Sequence, residues 1–116
     1  MRLALSTALV AALAASAHAE ALTIDLPDGA PAERNKVAYS CTGGHELTAE
    51  YINAGSNSLA VVTTGDKTIL MTSVLSASGA RYAGLQYVWW TKGNTGDFYD
   101  LTQGEDAPPQ FSCEEE

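Results

Sequence analysis

Basic side chains are scarce in this 116-residue chain, which carries six Lys and Arg against 14 Asp and Glu, for a formal net charge of −8 at pH 7. Binding to nucleic acid requires a basic surface that neutralises phosphates. The composition therefore argues against nucleic acid as a partner. An acidic surface is compatible with a basic protein partner and also with plain solubility, which is the simpler explanation of the charge alone.

Catalytic motifs are also missing. The chain has no G-x-S-x-G elbow, no phosphate-binding glycine-rich loop and no H-E-x-x-H. Ser78, His45 and any acid could be assembled into a Ser-His-Asp set, but no spacing supports that choice. Asp97 and Asp100 resemble neither a glycosidase pair nor a calcium loop, and we interpret them as exposed loop and edge charges. We expect no enzyme activity, no catalytic residue and no cofactor.

The apolar run near the N-terminus is too short to span a membrane, which takes about 20 residues. It covers residues 3–15, follows the single positive residue Arg2, and precedes Ala17-His18-Ala19, a cleavage site of the A-x-A type. The pattern predicts that residues 1–19 are a secretory signal peptide. Its removal takes away Arg2, so the net charge of −8 becomes −9.

Cysteine is limited to two residues, Cys41 and Cys113. The predicted export places them in an oxidising compartment, where a lone pair is expected to form a disulfide. The chain-entropy model gives about 4–5 kcal/mol for closing a loop of that length. A metal site is the competing use of the two cysteines, but only His45 could join them in the exported chain, so we expect no metal.

Helical periodicity is absent beyond residue 19, and short alternating segments take its place. Residues 20–35, with a breaker-rich connector at 27–31, predict an extended N-terminal arm. Residues 36–116 predict one domain of seven or so short strands; Val37, Tyr39 and Cys41 alternate with small or polar residues in the first of them. An antiparallel sheet that closes into a barrel or a sandwich fits this pattern, which does not choose between the two.

The most distinctive stretch covers residues 76–93. A small-residue turn at residues 76–79 is followed by a predicted aromatic strand over residues 82–90 and a second turn that carries Lys92. Most of the aromatic side chains are expected to fill the core. Ser78 and Lys92 have little apolar surface to bury and flank this strand in turns, where taken alone they would be ordinary solvated residues.

Two motifs of this stretch change that interpretation. Ser76-Ala-Ser-Gly-Ala-Arg-Tyr82, followed by Trp89-Trp-Thr-Lys-Gly93, resembles the paired signature of the bacterial MliC/PliC family, inhibitors of C-type (chicken-type) lysozyme. Val37-Ala-Tyr-Ser-Cys41 and Cys113 fit the same family. The resemblance implies a small antiparallel β-barrel of about eight strands, in which the cysteine pair ties the first strand to the last part of the chain.

The resemblance also implies a site. Lys92 and Ser78 would enter the active-site cleft of lysozyme, where a compact ammonium suits a catalytic carboxyl group. The residues implied to support the two loops are Gly79, Arg81, Tyr82, Thr91 and Gly93. An acidic inhibitor would also be attracted to a basic lysozyme.

Localisation follows from the same comparison. The region around the predicted cleavage site has no cysteine, so it offers no attachment point for the lipid of membrane-bound family members. We expect a protein without a membrane anchor, free in the periplasm or secreted. A periplasmic binding barrel or an envelope structural protein without inhibitory activity stays open as the alternative function.

Overall fold

The computed structural model describes residues 3–12 and 20–116. Arg2 and the predicted cleavage site at residues 17–19 lie outside the described residues. Residues 3–12 form neither helix nor strand. No helix in the described part of the chain is long and apolar enough to cross a membrane.

Eight antiparallel strands form a closed barrel in which each strand pairs with its neighbours in sequence and β1 pairs with β8. The strands are β1 (Ala32–Cys41), β2 (Glu46–Ala54), β3 (Asn57–Thr64), β4 (Lys67–Val74), β5 (Ala80–Gly84), β6 (Tyr87–Lys92), β7 (Thr95–Asp100) and β8 (Phe111–Glu115). The 3-10 helices Thr42–Gly44 and Leu101–Gln103 follow β1 and β7. The predicted all-β barrel of about eight strands is confirmed.

Alternation along the strands builds the core. On β4, Ile69 and Met71 are buried, whereas Leu70 between them and Thr68 before them are exposed, as a period of two requires. On β2, Leu47 and Ala49 are buried in the same way. The interior of the barrel is therefore filled by side chains, among which Trp89, Leu47 and Met71 are the bulkiest fully buried ones.

A disulfide joins the two strands that close the barrel. Cys41 of β1 and Cys113 of β8 lie opposite each other in the ladder and are bonded, as predicted, across 72 positions of sequence. Cross-linking a loop of that length removes entropy from the unfolded chain worth about 4 kcal/mol in the chain-entropy model.

A hydrogen-bonded aromatic group occupies the middle of the core. The Trp89 Nε1–H donates to the Tyr51 hydroxyl at 2.9 Å, and the Tyr51 and Tyr39 hydroxyls are 2.7 Å apart. Burial raises the pKa of both tyrosines, which keeps their hydroxyls protonated and able to donate. Gly96 of β7 makes room for the indole, because a Cβ at that position would lie 2.3 Å from the Trp89 ring.

The first strand starts earlier than the pattern indicated. The alternation predicted a strand from Lys36, whereas β1 begins at Ala32 and its first residues pair with the end of β2, Ala32 with Ala54. Arg34 adds an ion pair to Glu50 across this ladder at 2.7 Å. The exposed side chains of residues 32–36 concealed the strand, because neither face there is buried.

The prediction of one aromatic strand over residues 82–90 is wrong. β5 ends at Gly84, Leu85 and Gln86 form a hairpin turn, and β6 returns antiparallel with Tyr82 opposite Trp89. Leu85 takes φ of 51°, a left-handed conformation that residues other than glycine rarely adopt, and its side chain is 83% exposed. No Asn-Gly or Asp-Gly pair marks this turn in the sequence.

Replacing Tyr51 by Phe tests the aromatic group. We expect Tyr51→Phe to lower the free energy of unfolding by about 1–3 kcal/mol, because the buried Trp89 N–H loses its acceptor. Urea unfolding followed by circular dichroism measures the change. Tyr87→Phe, a half-buried tyrosine outside this group, should change stability by no more than about 0.5 kcal/mol. Equal midpoints for the two variants would contradict the structural role of Tyr51.

Candidate functional site

Ser78 and Lys92 lie at the same mouth of the barrel. In an antiparallel barrel successive connections alternate between the two ends, so the β4–β5 connection, with Ser78, and the β6–β7 connection, after Lys92, share one end. The hairpin at Leu85 produces this arrangement, because it turns the chain back between the two motifs. We call residues 75–79 and 91–95 together the Ser78–Lys92 rim.

The two connections of the rim touch at Gly79. A Cβ on Gly79 would lie 2.1 Å from the Thr91 carbonyl oxygen and 2.8 Å from Lys92 Cγ. Gly79 also has φ of 66°, in the left-handed region. No other residue type fits both constraints, so the glycine brings the backbone beside Ser78 into direct contact with the strand that ends in Lys92.

The loop around Ser78 is held by its backbone atoms. The Ser76 hydroxyl donates to the Ser78 carbonyl oxygen and accepts from the Ser78 N–H at 3.3 Å. The Trp90 Nε1–H donates to the same carbonyl oxygen at 2.9 Å. None of these bonds uses the Ser78 hydroxyl, which is on an exposed residue at the rim.

Lys92 ends β6 with its side chain exposed. Its Nζ lies 5.2 Å from the centre of the Trp90 ring, and its carbonyl oxygen accepts a hydrogen bond from the Thr95 hydroxyl at 3.0 Å. Gly93 follows with φ of 59° in the turn to β7. Across residues 3–12 and 20–116, Arg34 and Glu50 form the only ion pair, so the Lys92 ammonium has no carboxylate partner there.

Of the remaining predicted support residues, Arg81 and Tyr82 lie beyond this rim on β5, and Thr91 belongs to it. Tyr82 is buried inside the barrel, with its ring 5.6 Å from that of Tyr51. Arg81 lies on the outer side, with Cζ 5.7 Å from the centre of the Trp90 ring. Thr91 pairs with Ala80 in the β5–β6 ladder, and its side chain is half-buried. The predicted site residues other than the buried Tyr82 thus lie at one end of the β5–β6 hairpin.

Trp90 contacts both halves of the rim and was not singled out by the sequence, where it was grouped with the core aromatics. Trp89 is fully buried, whereas Trp90 is half-buried and contacts the Ser78 loop and Lys92. Alternation along the strand could have identified Trp90, because neighbouring residues of a strand point to opposite faces.

The other candidate residues have structural explanations. His45 lies in the β1–β2 connection at the opposite mouth, stacked on Phe111 with ring centres 4.5 Å apart, so it does not contact Ser78.

Asp100 caps the helix Leu101–Gln103 by accepting hydrogen bonds from the Thr102 hydroxyl and N–H. These bonds hold the pKa of its carboxyl group below the usual value. Among the residues that the structure describes, no group of three or more His, Cys, Asp or Glu could hold a metal ion.

Comparison with known proteins points to one family. The sequence profile described as "MliC: Membrane-bound lysozyme-inhibitor of c-type lysozyme" matches residues 39–107. A protein of Cupriavidus necator named membrane-bound lysozyme inhibitor of C-type lysozyme is 44% identical over 108 residues, covering 92% of this chain and 86% of that protein. A Pseudomonas aeruginosa protein of the same name is 42% identical over 91 residues, or 78% and 72% of the two chains.

The solved structures agree. The crystal structure of Pseudomonas aeruginosa MliC in complex with hen egg white lysozyme matches with a TM-score of 0.71 and 38% identity, over 86% of this chain and 100% of that one. The segment matched by the family profile spans the positions of Ser78 and Lys92, and the two relatives cover most of the barrel sequence. This chain belongs to the MliC family of lysozyme inhibitors.

Proposed function

We propose that this protein inhibits C-type lysozyme by inserting Lys92 and Ser78 into the active-site cleft of the enzyme. The observation that carries the proposal is the geometry of the Ser78–Lys92 rim. It presents an ammonium with no carboxylate partner among the described residues and a hydroxyl that the loop does not use, on two connections in direct contact. The relatives named as inhibitors of C-type lysozyme, and the MliC complex with hen egg white lysozyme, supply the partner.

The chemistry of the target suits these two groups. Lysozyme hydrolyses its substrate with two carboxyl groups that flank the scissile glycosidic bond. An ammonium placed between them forms a charge-assisted hydrogen bond to a carboxylate, and a serine hydroxyl can bond a neighbouring carboxyl group. With that position occupied, the sugar chain cannot enter the cleft. The inhibitor itself is not cleaved.

Rigidity of the rim favours tight binding. Both connections are anchored in a closed sheet, and the pairing of Ala80 with Thr91 joins the two strands beside them. Side chains and loops that are ordered before docking lose less entropy when the complex forms. The rim therefore contributes to affinity through its geometry as well as through its charge.

The packed interior weighs against the alternative of a small-ligand barrel. Trp89, Leu47 and Met71 fill the space that a ligand would occupy in a wider barrel. The family consists of inhibitors and not of enzymes, in agreement with the missing catalytic motifs.

A lytic assay tests the proposed function directly. At micromolar concentration, the protein comprising residues 20–116 should slow the clearing of a bacterial cell-wall suspension by C-type lysozyme, and it should clear no suspension by itself. A G-type lysozyme in a parallel assay serves as the specificity control. Undiminished clearing by the C-type enzyme would refute the proposal.

Single substitutions test which side chains carry the inhibition. Lys92→Ala removes one member of a desolvated charge pair, so we expect affinity to fall by about 2–5 kcal/mol, well over tenfold. Ser78→Ala removes one hydrogen bond to a charged or polar group and should cost about 1.5–3 kcal/mol. The two changes act in one pocket, so their effects should not add. Surface plasmon resonance with immobilised lysozyme measures the two single variants and the double variant.

Lys67→Ala is the matched control for these variants. Lys67 is an exposed lysine at the start of β4, at the mouth opposite the rim. Its removal changes the net charge as Lys92→Ala does and should leave affinity nearly unchanged. Thermal melts of all variants should agree within about 0.5 kcal/mol, since none of the residues is buried. Parent-like binding by Lys92→Ala would show that the insertion mechanism is wrong.

We further propose that residues 1–19 direct export and that the mature protein is free in the periplasm or secreted. The two curated relatives are named membrane-bound, whereas this chain has no cysteine near its predicted cleavage site. N-terminal sequencing of the protein released by osmotic shock should begin at Glu20. Recovery with the membrane pellet after high-salt washing would contradict this localisation.

A further inference from the structure

Among the described residues, Trp90 is the only side chain that both hydrogen-bonds Ser78 and places an aromatic ring against Lys92. Its indole N–H donates to the Ser78 carbonyl oxygen at 2.9 Å, and its ring lies 5.2 Å from Lys92 Nζ. The strand position explains this reach. Trp90 is two residues before Lys92 on the same strand, opposite Arg81 in the ladder, and on the face away from the core residue Trp89.

We propose that Trp90 is the positioning residue of the rim: it fixes the Ser78 loop through its N–H and orients the Lys92 side chain through its ring. The inference rests on the proposed function for its consequence in lysozyme binding. Its structural content concerns the free protein and can be tested without lysozyme.

Tryptophan can perform both tasks with one side chain. Phenylalanine has a ring without a donor, and an aliphatic residue has neither. Tryptophan also provides the strongest face for a cation, within about 6 Å of the ring centre. The hydrogen bond is made to a backbone carbonyl oxygen, so it fixes the loop and leaves the Ser78 hydroxyl free for a partner.

A contact with an aromatic ring suits a lysine that must later bind a carboxyl group of the enzyme. A carboxylate partner would neutralise Lys92 and compete directly with the carboxyl groups of an enzyme. An aromatic face restricts the side chain without taking up its donors, and at an exposed site such a contact is weak. Lys92 is thus held in a limited range of positions while its ammonium stays available.

Nuclear magnetic resonance of the free protein tests the structural part. The ε-methylene protons of Lys92 should be shifted upfield by the ring current of Trp90, relative to those of the exposed Lys36 on β1. The shift should disappear in Trp90→Leu and persist in part in Trp90→Phe. The Ser78 loop should lose order in both variants, seen as lower amide order parameters for residues 76–79. An unshifted Lys92 in the parent, or a shift that survives in Trp90→Leu, would overturn the proposal.

Binding cycles test the consequence for affinity. Trp90→Leu should weaken lysozyme binding about fivefold or more when Lys92 is present, and in the Lys92→Ala background by only the roughly threefold loss that removal of the N–H bond to Ser78 causes. Trp90→Phe should weaken binding about threefold with Ser78 present and have little effect in the Ser78→Ala background. Equal losses in both backgrounds would show a general structural effect and overturn the positioning role.

Tyr87→Leu is the matched control, since it removes a half-buried ring from the same strand at the opposite mouth. It should lower stability while leaving the Lys92 shift and the affinity unchanged. A parent protein that fails to bind lysozyme would refute the proposed function, and the resonance measurements would still decide whether Trp90 holds the two loops.

Discussion

Closure of the barrel is the constraint on which the rest of the structure depends. β1 and β8 meet over three residue pairs, and the last of these is the disulfide between Cys41 and Cys113. The ladder of β1 with β2 is far longer, from Ala32 to Ser40. The covalent bond therefore reinforces one of the two shortest ladders of the barrel, each of three residue pairs, and it preserves a cylinder whose mouth holds the Ser78 and Lys92 connections in place.

Alternation predicted an antiparallel all-β domain because the period of two reports directly which face of a strand is buried, and the family resemblance supplied the barrel. Alternation placed Tyr39 on the buried face of the first strand for that reason. It missed the hairpin at Leu85 because a leucine at φ of 51° carries no turn signal. That turn decides where the site lies. A single straight strand would have put Ser78 and Lys92 at opposite ends of the sheet, about 45 Å apart at the usual rise per residue.

The site residues themselves were named from a resemblance and not from physical necessity. Nothing in the types Ser and Lys distinguishes Ser78 and Lys92 from solvated loop residues. What the structure adds is their shared mouth, the contact at Gly79 and the bridging position of Trp90. Trp90 could be assigned to the outer face from alternation alone, but its contacts to two separate connections depend on tertiary geometry.

Gly79 has a consequence for how this surface can vary between related proteins. The approach that it permits is made to the Thr91 carbonyl oxygen, a backbone atom, so it does not depend on which side chains the rim displays. Under the proposed function, substitutions at positions 78 and 92 would alter which partner is recognised while the separation of the two loops is retained. A side chain at position 79 would push the loops apart and so weaken binding of every partner that uses both loops. Divergence toward new targets would then be open at positions 78 and 92 and closed at the glycine.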